Sequence, residues 1–367
     1  MRFRHPDGTL VHVAYCTNVH PAQDLDGVLD QLARYAEPVR HRLGTDVLGV
    51  GLWLAAPLAA RLAADAGPLR AELDRRGLEV VTLNAFPYES FQAAEVKHSV
   101  YSPNWTDERR LRYTLDCASV LAALLPPDAA RGSISTLPFG WRAGWSAEDT
   151  REALLNLARL TAELAGRTGR VIRIGLEPEP GCVLEHTKDA AELLAGTDLG
   201  VCLDMCHLAV GFEDPGVAAS IGVPIVKAQL SCALHADDPA DPATTSALAR
   251  FAEPRFLHQV RTATGAPADD LPDALAGAVP PTEPWRVHFH LPPHVDPPEP
   301  LRSTSAYLRD CLAVLFGGPT ALVDHVEVET YTWPVLPTGD DDLVAGIAGE
   351  LAWTAEELRA LGLLEES

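Results

Sequence analysis

Length, composition and charge narrow the class of protein before any motif is considered. The chain has 367 residues, 47% of them hydrophobic, and its formal net charge is −22 at pH 7. The hydrophobic content supports a large folded core and argues against wholesale disorder. The strong excess of negative charge argues against binding to nucleic acid or to an anionic membrane surface.

The cysteines and the first residues indicate the compartment. The seven cysteines are an odd number, are widely spaced and form no CxxC pattern, so we expect reduced thiols. The opening MRFRHPDGTL lacks the apolar segment of a signal peptide. No apolar run reaches the roughly 18 residues that are typical of a membrane span. We therefore expect a cytoplasmic protein.

Short apolar runs alternate along the chain with long amphipathic stretches rich in Ala and Leu, a pattern typical of buried parallel strands joined by helices. Strands are predicted at Val11–Cys16, Val47–Leu54, Leu78–Leu83, Gly132–Thr136, Val171–Glu177, Leu199–Asp204, Ile225–Leu230 and Val326–Thr330, with an extra piece at Arg286–Leu291. The first strand is followed by TNVHP rather than by a Gly-rich dinucleotide-binding loop. The pattern therefore predicts a TIM-type (β/α)8 barrel rather than an open doubly wound sheet.

The chain is expected to form a single TIM-barrel domain over residues 1–367. Residues 235–300 interrupt the alternation of apolar runs and amphipathic stretches, and they are rich in Pro, Ala and Asp. We interpret them as an insertion between strands seven and eight that lies over the barrel mouth, because long loops at that end of a barrel carry function. The final helix is expected from about residue 340 to residue 364.

Strand five ends in the acidic motif LEPEP. The carboxyl ends of barrel strands form the active face, and Glu177 ends the apolar run directly. A carboxylate buried there needs a cation or a proton to offset its desolvation, so Glu177 is a candidate metal ligand and acid–base group. Glu179 points to the same side but is also compatible with capping a turn.

Strand six ends in LDMCH. Asp204 and His207 in this motif place an oxygen and a nitrogen donor near one centre, which is typical of a metal site, and His207 is also a candidate catalytic group. The alternative is that Asp204 caps a helix while His207 packs into the core.

Strand seven carries two polar residues inside an apolar run. Gln229 can coordinate a metal through its carbonyl or hold a substrate hydroxyl. Lys227 is a candidate catalytic group, electrostatic or Schiff-base-forming, although a strand-edge lysine that reaches solvent fits equally well. On strand eight Glu329 is the candidate metal ligand and catalytic carboxylate. Glu327 is expected one layer deeper, where its charge can pair with that of Lys227.

The extra strand piece carries the pair His288 and His290. Histidines two apart share one face of a strand and make good metal ligands. We interpret His290 as a candidate metal ligand and His288 as a candidate substrate contact, with plain packing as the alternative.

The ends of the first four strands supply further candidates for substrate binding. They are Asn18 and His20 after strand one, Trp53 on strand two, Asn84 after strand three and Trp141 after strand four. Aromatic side chains at a barrel mouth can line the face of a sugar or cyclitol. Ordinary loop packing is the alternative for each of them.

The motifs LEPEP, LDMCH and VEVET, in this order, resemble those of the xylose-isomerase-like TIM-barrel superfamily. Its members include sugar isomerases, epimerases and endonuclease-IV-type enzymes. The resemblance implies functional roles for Glu177, Asp204, His207 and Glu329. The chain departs from the pattern at Gln229, where the superfamily carries a histidine, and the HxH pair falls where it can compensate.

A closer resemblance extends over nearly the whole chain. The segments VAYCTNVHP, LDMCHLAVGFEDP, VKAQLSCAL, VHFHLPP and VETYTWPVLP resemble the EboE-type family of metabolite traffic proteins. This resemblance implies a role in making or exporting a secondary metabolite and association with other proteins of the ebo cluster. It does not define the reaction.

These observations favour a metal-dependent isomerase or epimerase acting on a small polyhydroxylated metabolite, a sugar or cyclitol. Oxygen ligands favour Mg²⁺ or Mn²⁺, whereas the histidines favour Mn²⁺, Zn²⁺ or Co²⁺. A non-catalytic metabolite carrier or scaffold in an export complex is the alternative, favoured by Gln229. Hydrolysis of DNA is disfavoured because strands two and three end in Trp53 and Asn84 rather than in histidines. It is also disfavoured because the net charge of the chain is negative, as is that of DNA.

Overall fold

Eight parallel strands close into a barrel in the computed structural model, which describes residues 1–337 and 342–366. The strands are β1 Leu10–Cys16, β2 Leu48–Trp53, β3 Leu78–Asn84, β4 Gly132–Thr136, β5 Ile172–Leu176, β6 Gly200–Asp204, β7 Ile225–Leu230 and β8 His325–Val328. Each strand pairs with the next, and β8 pairs with β1 to close the ring. The predicted TIM barrel is confirmed, and each strand end lies within two residues of its predicted position.

Helices surround the barrel between successive strands. They are Leu25–Gln31, Leu32–Ala36 (a π turn), Glu37–Leu43, Ala56–Ala64, Gly67–Arg76, Glu108–Leu124, Ala147–Arg167, Thr187–Leu194, Met205–Val210, Val217–Ser220, Ser305–Phe316 and Leu343–Ala360. Short 3-10 turns occupy Thr17–Val19, Lys97–Tyr101 and Trp333–Val335. Among the described residues, none of these helices has the length and apolar character needed to cross a bilayer.

Local sequence signals explain where the longest helices begin and end. The Asp107 side chain caps Glu108–Leu124, and Ser146 and Asp149 form a reciprocal capping box at the start of Ala147–Arg167. The final helix is shorter than expected because Gly362, at a φ of +92°, turns the chain into a strand. Residues 340 and 341, where this helix was expected to begin, lie outside the described residues.

The two chain ends meet beside the barrel. Arg2–Arg4 pairs antiparallel with the first residues of β1 and also with Leu364–Glu366. The sequence pattern predicts neither of these short strands, because three residues are too few to show periodicity. The seven cysteines are all buried and unpaired.

The segment between β7 and β8 builds a second, antiparallel sheet. In spatial order its strands are Pro267–Ala268, Val260–Thr262, Trp285–Leu291, Cys232–Ala236 and Arg302–Ser303. Three helical segments accompany it, at Pro242–Ala249, Leu271–Asp273 and Ala274–Ala278. The central strand is the extra piece predicted from sequence, and it carries the HxH pair.

Candidate functional site

A cleft lies at the carboxyl ends of the barrel strands. Its acidic and imidazole-bearing part, called the floor below, consists of Glu177, Glu179, His207, His288, His290 and Glu329. Four of these residues follow barrel strands and two come from the inserted sheet, so both parts of the fold build the cleft.

The ends of three barrel strands bring carboxylates together. The backbone N–H of Glu177 donates to Thr136 at 3.0 Å, and that of Glu329 donates to Leu230 at 3.1 Å, so both residues stay in register with the neighbouring strand. Oxygens of Glu177, Asp204 and Glu329 lie within 4.8 Å of one another. The convergence expected from the sequence motifs is present.

Each of these carboxylates has a buried oxygen without a hydrogen-bond partner among the described residues. Asn18 and Asn84 donate to Oε1 of Glu329 at 2.6 Å and 2.8 Å. The backbone N–H of His207 donates to Oδ1 of Asp204 at 3.0 Å, so Asp204 does cap the following helix. The buried atoms Oε2 of Glu177, Oδ2 of Asp204 and Oε2 of Glu329 have no hydrogen-bond partner among the described residues. Unpaired buried carboxylate oxygens are costly, so this cluster requires a cation or protons.

Burial and mutual repulsion shift the acidities of the floor. Burial, followed by the charges of Glu329 and Asp204, raises the pKa of Glu177 well above its ordinary value. Burial, followed by the charges of Glu327 and Asp204, does the same to the pKa of Glu329. Burial also raises the pKa of Glu179. These groups hold protons strongly unless positive charge is placed among them.

Three histidines converge beside the carboxylates. The Nε2 atom of His288 lies 3.1 Å from Nε2 of His207 and 3.0 Å from Nε2 of His290. The Nδ1 atoms are used elsewhere: His207 contacts the Pro178 carbonyl at 3.0 Å and His290 contacts the Glu329 carbonyl at 2.7 Å. His288 Nδ1 contacts Oε1 of Gln259 at 2.5 Å. Because carbonyl oxygens only accept, each Nδ1 carries the proton and each Nε2 presents a lone pair.

The arrangement of the three nitrogens fits a metal ion better than protons. Nitrogens bound to one ion at about 2.0–2.1 Å lie roughly 3 Å apart, and the two distances from Nε2 of His288 are of this size. Burial lowers the pKa of His290 to about 4 and, followed by the neighbouring imidazoles, lowers the pKa of His288 well below its ordinary value. A carbonyl that fixes the second ring nitrogen is the usual support of a metal-binding histidine. Asp204 lies within 4.8 Å of the oxygen donors of Glu177 and Glu329 and of the nitrogen donors of His207 and His290.

The strand-seven residues lie beneath the cleft and do not line it. Lys227 is fully buried, is ion-paired with Glu327 and lies 3.1 Å from Oγ of Ser135. The alternative of a strand-edge lysine that reaches solvent is therefore wrong. Although burial alone lowers the pKa of Lys227, the carboxylate of Glu327 raises it above its ordinary value, so the amine stays charged and is unsuited to forming a Schiff base.

Gln229 pairs with Asp204 in the strand register. Its amide oxygen contacts the thiol of Cys202, and its Nε2 atom has no partner among the described residues. The structure therefore places Gln229 next to the carboxylates, with its oxygen engaged elsewhere.

The structure does not bring three of the predicted substrate-binding residues to the cleft. His20 lies 3.0 Å from the hydroxyl of Tyr15 and stacks on Tyr35. The indole N–H of Trp53 donates to a backbone carbonyl at 2.9 Å, and Trp141 packs against Tyr101. Each side chain packs against neighbouring residues, which agrees with the alternative of loop packing, although Nδ1 of His20 has no hydrogen-bond partner among the described residues. Asn18 and Asn84, in contrast, do line the cleft.

Several residues of the site carry no sequence signal. Tyr101 donates to Oε1 of Glu179 at 2.7 Å, and Gln259 holds the ring of His288. Both lie in or next to long irregular segments without periodicity. Tyr331, whose hydroxyl lies 3.4 Å from Nε2 of His288, directly follows the strand-eight motif, and its proximity to that motif was the one available indication.

The fold and this site together define a barrel enzyme scaffold with metal-type donors at its mouth. A family model described as xylose isomerase-like TIM barrel matches residues 41–256. The chain belongs to this family. A comparison with curated protein sequences gives no match.

Solved structures resemble the chain in fold. D-allulose 3-epimerase from Methylomonas sp., in complex with D-allulose, is 11% identical, with 97% of this chain and 100% of that chain covered and a TM-score of 0.52. D-psicose 3-epimerase, in the presence of D-fructose, is 13% identical, with 95% and 99% covered and a TM-score of 0.50. At these identities the likeness shows the shared architecture.

Proposed function

We propose that this protein is a divalent-metal-dependent isomerase or epimerase that acts on a small polyhydroxylated metabolite, a sugar or cyclitol. The observation that carries the proposal is the convergence of Glu177, Asp204 and Glu329, each with one buried oxygen that lacks a partner among the described residues. Such a cluster at the carboxyl ends of barrel strands is where this fold places its chemistry.

The donor set indicates which residues would hold the metal. Glu177, Asp204 and Glu329 offer hard oxygen ligands, while His207 and His290 offer nitrogens within 4.8 Å of Asp204. His288 adds a nitrogen that lies 3.1 Å and 3.0 Å from those two. The nitrogens favour Zn²⁺, Mn²⁺ or Co²⁺ over Mg²⁺. A bound divalent ion supplies positive charge that polarises a substrate carbonyl and makes the neighbouring C–H more acidic.

The chain's own residues would move the proton. Glu177 and Glu329 come from different strands, so one carboxylate can remove a proton from carbon and the other can return it. Asn18 and Asn84 hold Glu329 through one oxygen and leave the other free, which fixes the direction of the reactive oxygen. The charged amine of Lys227 lies beneath this cluster and partly offsets its repulsion.

Metal content and proton exchange test the proposal together. We expect the purified protein to contain stoichiometric metal, and we expect Glu177→Gln and Asp204→Asn each to reduce it severalfold. Glu192→Gln, which changes an exposed glutamate, serves as the matched control. The active protein should incorporate solvent deuterium at the carbon next to the carbonyl of its substrate. Metal content that is absent, or unchanged in both site variants, would contradict the proposal.

The second candidate is a metabolite carrier or scaffold without catalysis. Gln229 favours it, because a histidine ligand of the superfamily is replaced and the amide oxygen contacts Cys202 instead. The resemblance to the EboE-type family supports a role of either kind in metabolite traffic, with other ebo-cluster proteins as partners. Retained metal and ligand binding with no deuterium incorporation for any sugar or cyclitol would favour the carrier.

A further inference from the structure

We propose that the substrate of this site is uncharged at the end remote from the metal-binding oxygens and carries an apolar ring or chain there. Phosphorylated and carboxylated sugars are thereby excluded. The inference rests on the proposed function, because it assumes that two adjacent substrate oxygens face the floor. The inference is drawn from the apolar lining, the charge and the hydrogen bonds of the cleft outside the floor.

More than half of the side chains that line the cleft outside the floor are apolar. Phe86, Phe91, Val96, Val100, Phe256 and Leu257 line it. Together with Tyr331, the rings of Phe91 and Phe256 form an aromatic cluster with centroids 4.9–5.4 Å apart. Tyr331 also lies 4.5 Å from the ring of His290, so the apolar wall begins where the metal-type donors end.

Two segments outside the barrel are joined to build this wall. Val96 belongs to the long loop after β3, and Phe256 belongs to the insertion. The backbone N–H groups of Val96 and Lys97 donate to the carbonyl of Arg255 at 2.8 Å and 3.0 Å, and Arg255 donates to Gln92 at 2.8 Å. Because the two loops are tied together by backbone hydrogen bonds, the wall is preformed.

The charge of the cleft disfavours an anionic ligand end. Among the described residues that line the cleft, Lys97 is the one lysine and there is no arginine. The ammonium of Lys97 is paired with Asp270. The floor itself is acidic. A phosphate or carboxylate lying along the wall would therefore be desolvated without a free cation to compensate it, which is strongly unfavourable.

The polar groups of the cleft are already engaged. The Tyr101 hydroxyl donates to Glu179 and accepts from Gln259, whose own oxygen accepts from His288. Oδ1 of Asn18 has no partner among the described residues, but this amide holds Glu329 and so lies at the floor. Hydroxyls of a sugar or cyclitol that lay along the apolar wall would be left unpaired, which costs affinity, so the hydroxylated part of the substrate is expected at the floor. The geometry thus matches adjacent oxygens at one end of the substrate and an apolar group at the other.

Three hydroxamates test this directly, because each presents the same two adjacent oxygens to a metal ion. Acetohydroxamate has no ring, benzohydroxamate adds an apolar ring, and 4-carboxybenzohydroxamate adds a charge to that ring. Using calorimetry on the full-length, zinc-loaded protein, we expect benzohydroxamate to bind at least about tenfold more tightly than acetohydroxamate, because the ring is buried. We expect benzohydroxamate to bind about tenfold or more tightly than 4-carboxybenzohydroxamate, because the carboxylate of the latter would be buried without a cation to pair with it.

Variants of the wall make the test specific. Phe256→Ala should remove most of the preference for benzohydroxamate over acetohydroxamate. Val96→Lys adds a free cation and should reverse the preference between benzohydroxamate and its carboxylated form. Val171→Lys, the same change at a residue that is 60% exposed, is the control and should alter neither preference.

The failure of this inference can be separated from the failure of the proposed function. Equal affinities for the three hydroxamates, or no binding of any of them, in a protein that holds metal through Glu177 and Asp204 would overturn the apolar-substrate inference alone. A protein that binds neither metal nor hydroxamate would overturn the proposed function and, with it, this inference.

Discussion

The Nε2 atoms of His207 and His288 lie 3.1 Å apart, although both rings already donate their Nδ1 protons elsewhere. One ring belongs to the helix that follows β6, and the other belongs to the inserted sheet, 81 residues later. Two lone pairs held this close repel each other unless a positive charge lies between them. The insertion is therefore part of the candidate metal centre as well as of the cleft wall.

Removing one of these nitrogens should weaken metal binding. We expect His288→Ala to lower zinc affinity by about 100-fold, since even changes to the supporting residues of a metal site typically cost about 10- to 100-fold. Competition with a chromophoric chelator measures the affinity. His41→Ala, at an exposed histidine, is the control. Unchanged zinc affinity in His288→Ala would remove the nitrogen donors from the proposed centre.

The buried ion pair of Lys227 and Glu327 beneath the cleft should contribute strongly to stability once it is formed, so that removing one partner alone is costly. Lys227→Met leaves the carboxylate of Glu327 buried without its cation and should lower the free energy of unfolding by about 3–5 kcal/mol. Urea denaturation in the presence of a chelator measures this value, and the double variant Lys227→Met, Glu327→Leu should recover most of the loss.

The matched control for that experiment is a surface pair. Arg4 and Glu366 form an ion pair with both side chains partly exposed, and Arg4→Met should lower the free energy of unfolding much less than Lys227→Met does. Equal losses in Lys227→Met and Arg4→Met would show that the buried pair makes no special contribution to stability.

Glu350 should make stability depend on pH. This buried carboxyl accepts hydrogen bonds from Thr330 and from the indole of Trp333, and burial raises its pKa to about 8. The folded protein therefore keeps a proton that the unfolded chain releases above a pH of about 4.5. The resulting stabilisation is fully present below that pH and is lost as the pH rises towards 8.

The variant Glu350→Gln should abolish this dependence. Relative to the unchanged protein, its free energy of unfolding should increase between pH 5 and pH 8 by up to about 1.4 kcal/mol per pH unit. Denaturation series at several pH values measure it, with Glu356→Gln, an exposed glutamate on the same helix, as the control. Parallel pH profiles for Glu350→Gln and the unchanged protein would contradict the assignment.

Removing metal should lower thermal stability. An ion that binds the folded protein and not the unfolded chain adds about 2.7 kcal/mol when present at 100 times its dissociation constant. We expect a chelator to lower the melting temperature by several degrees and zinc to restore it. Glu177→Gln should show a much smaller change. A melting temperature that is insensitive to chelator and zinc in both proteins would count against a metal centre.

The barrel and its acidic rim could be predicted because their signals are local. Buried parallel strands are short apolar runs, and a carboxylate such as Glu177 or Asp204 at the end of a run must face the rim of the barrel. The direction in which a side chain points after its strand has ended could not be predicted in the same way. His20 and Trp141 follow strands just as Asn18 does, yet His20 turns back to Tyr15 of β1 and Trp141 turns to Tyr101 of the segment after β3.

Chain order and apolar periodicity by themselves determined the eight-stranded barrel and which acidic side chains gather at its mouth. Only the tertiary structure decided that His288 meets His207, that Gln259 supports it and that two distant loops form an apolar wall beside them. Strand ends follow from backbone hydrogen bonding between neighbours, whereas these contacts join residues far apart in the chain through antiparallel pairing and loop packing, which leave no periodic trace in the sequence.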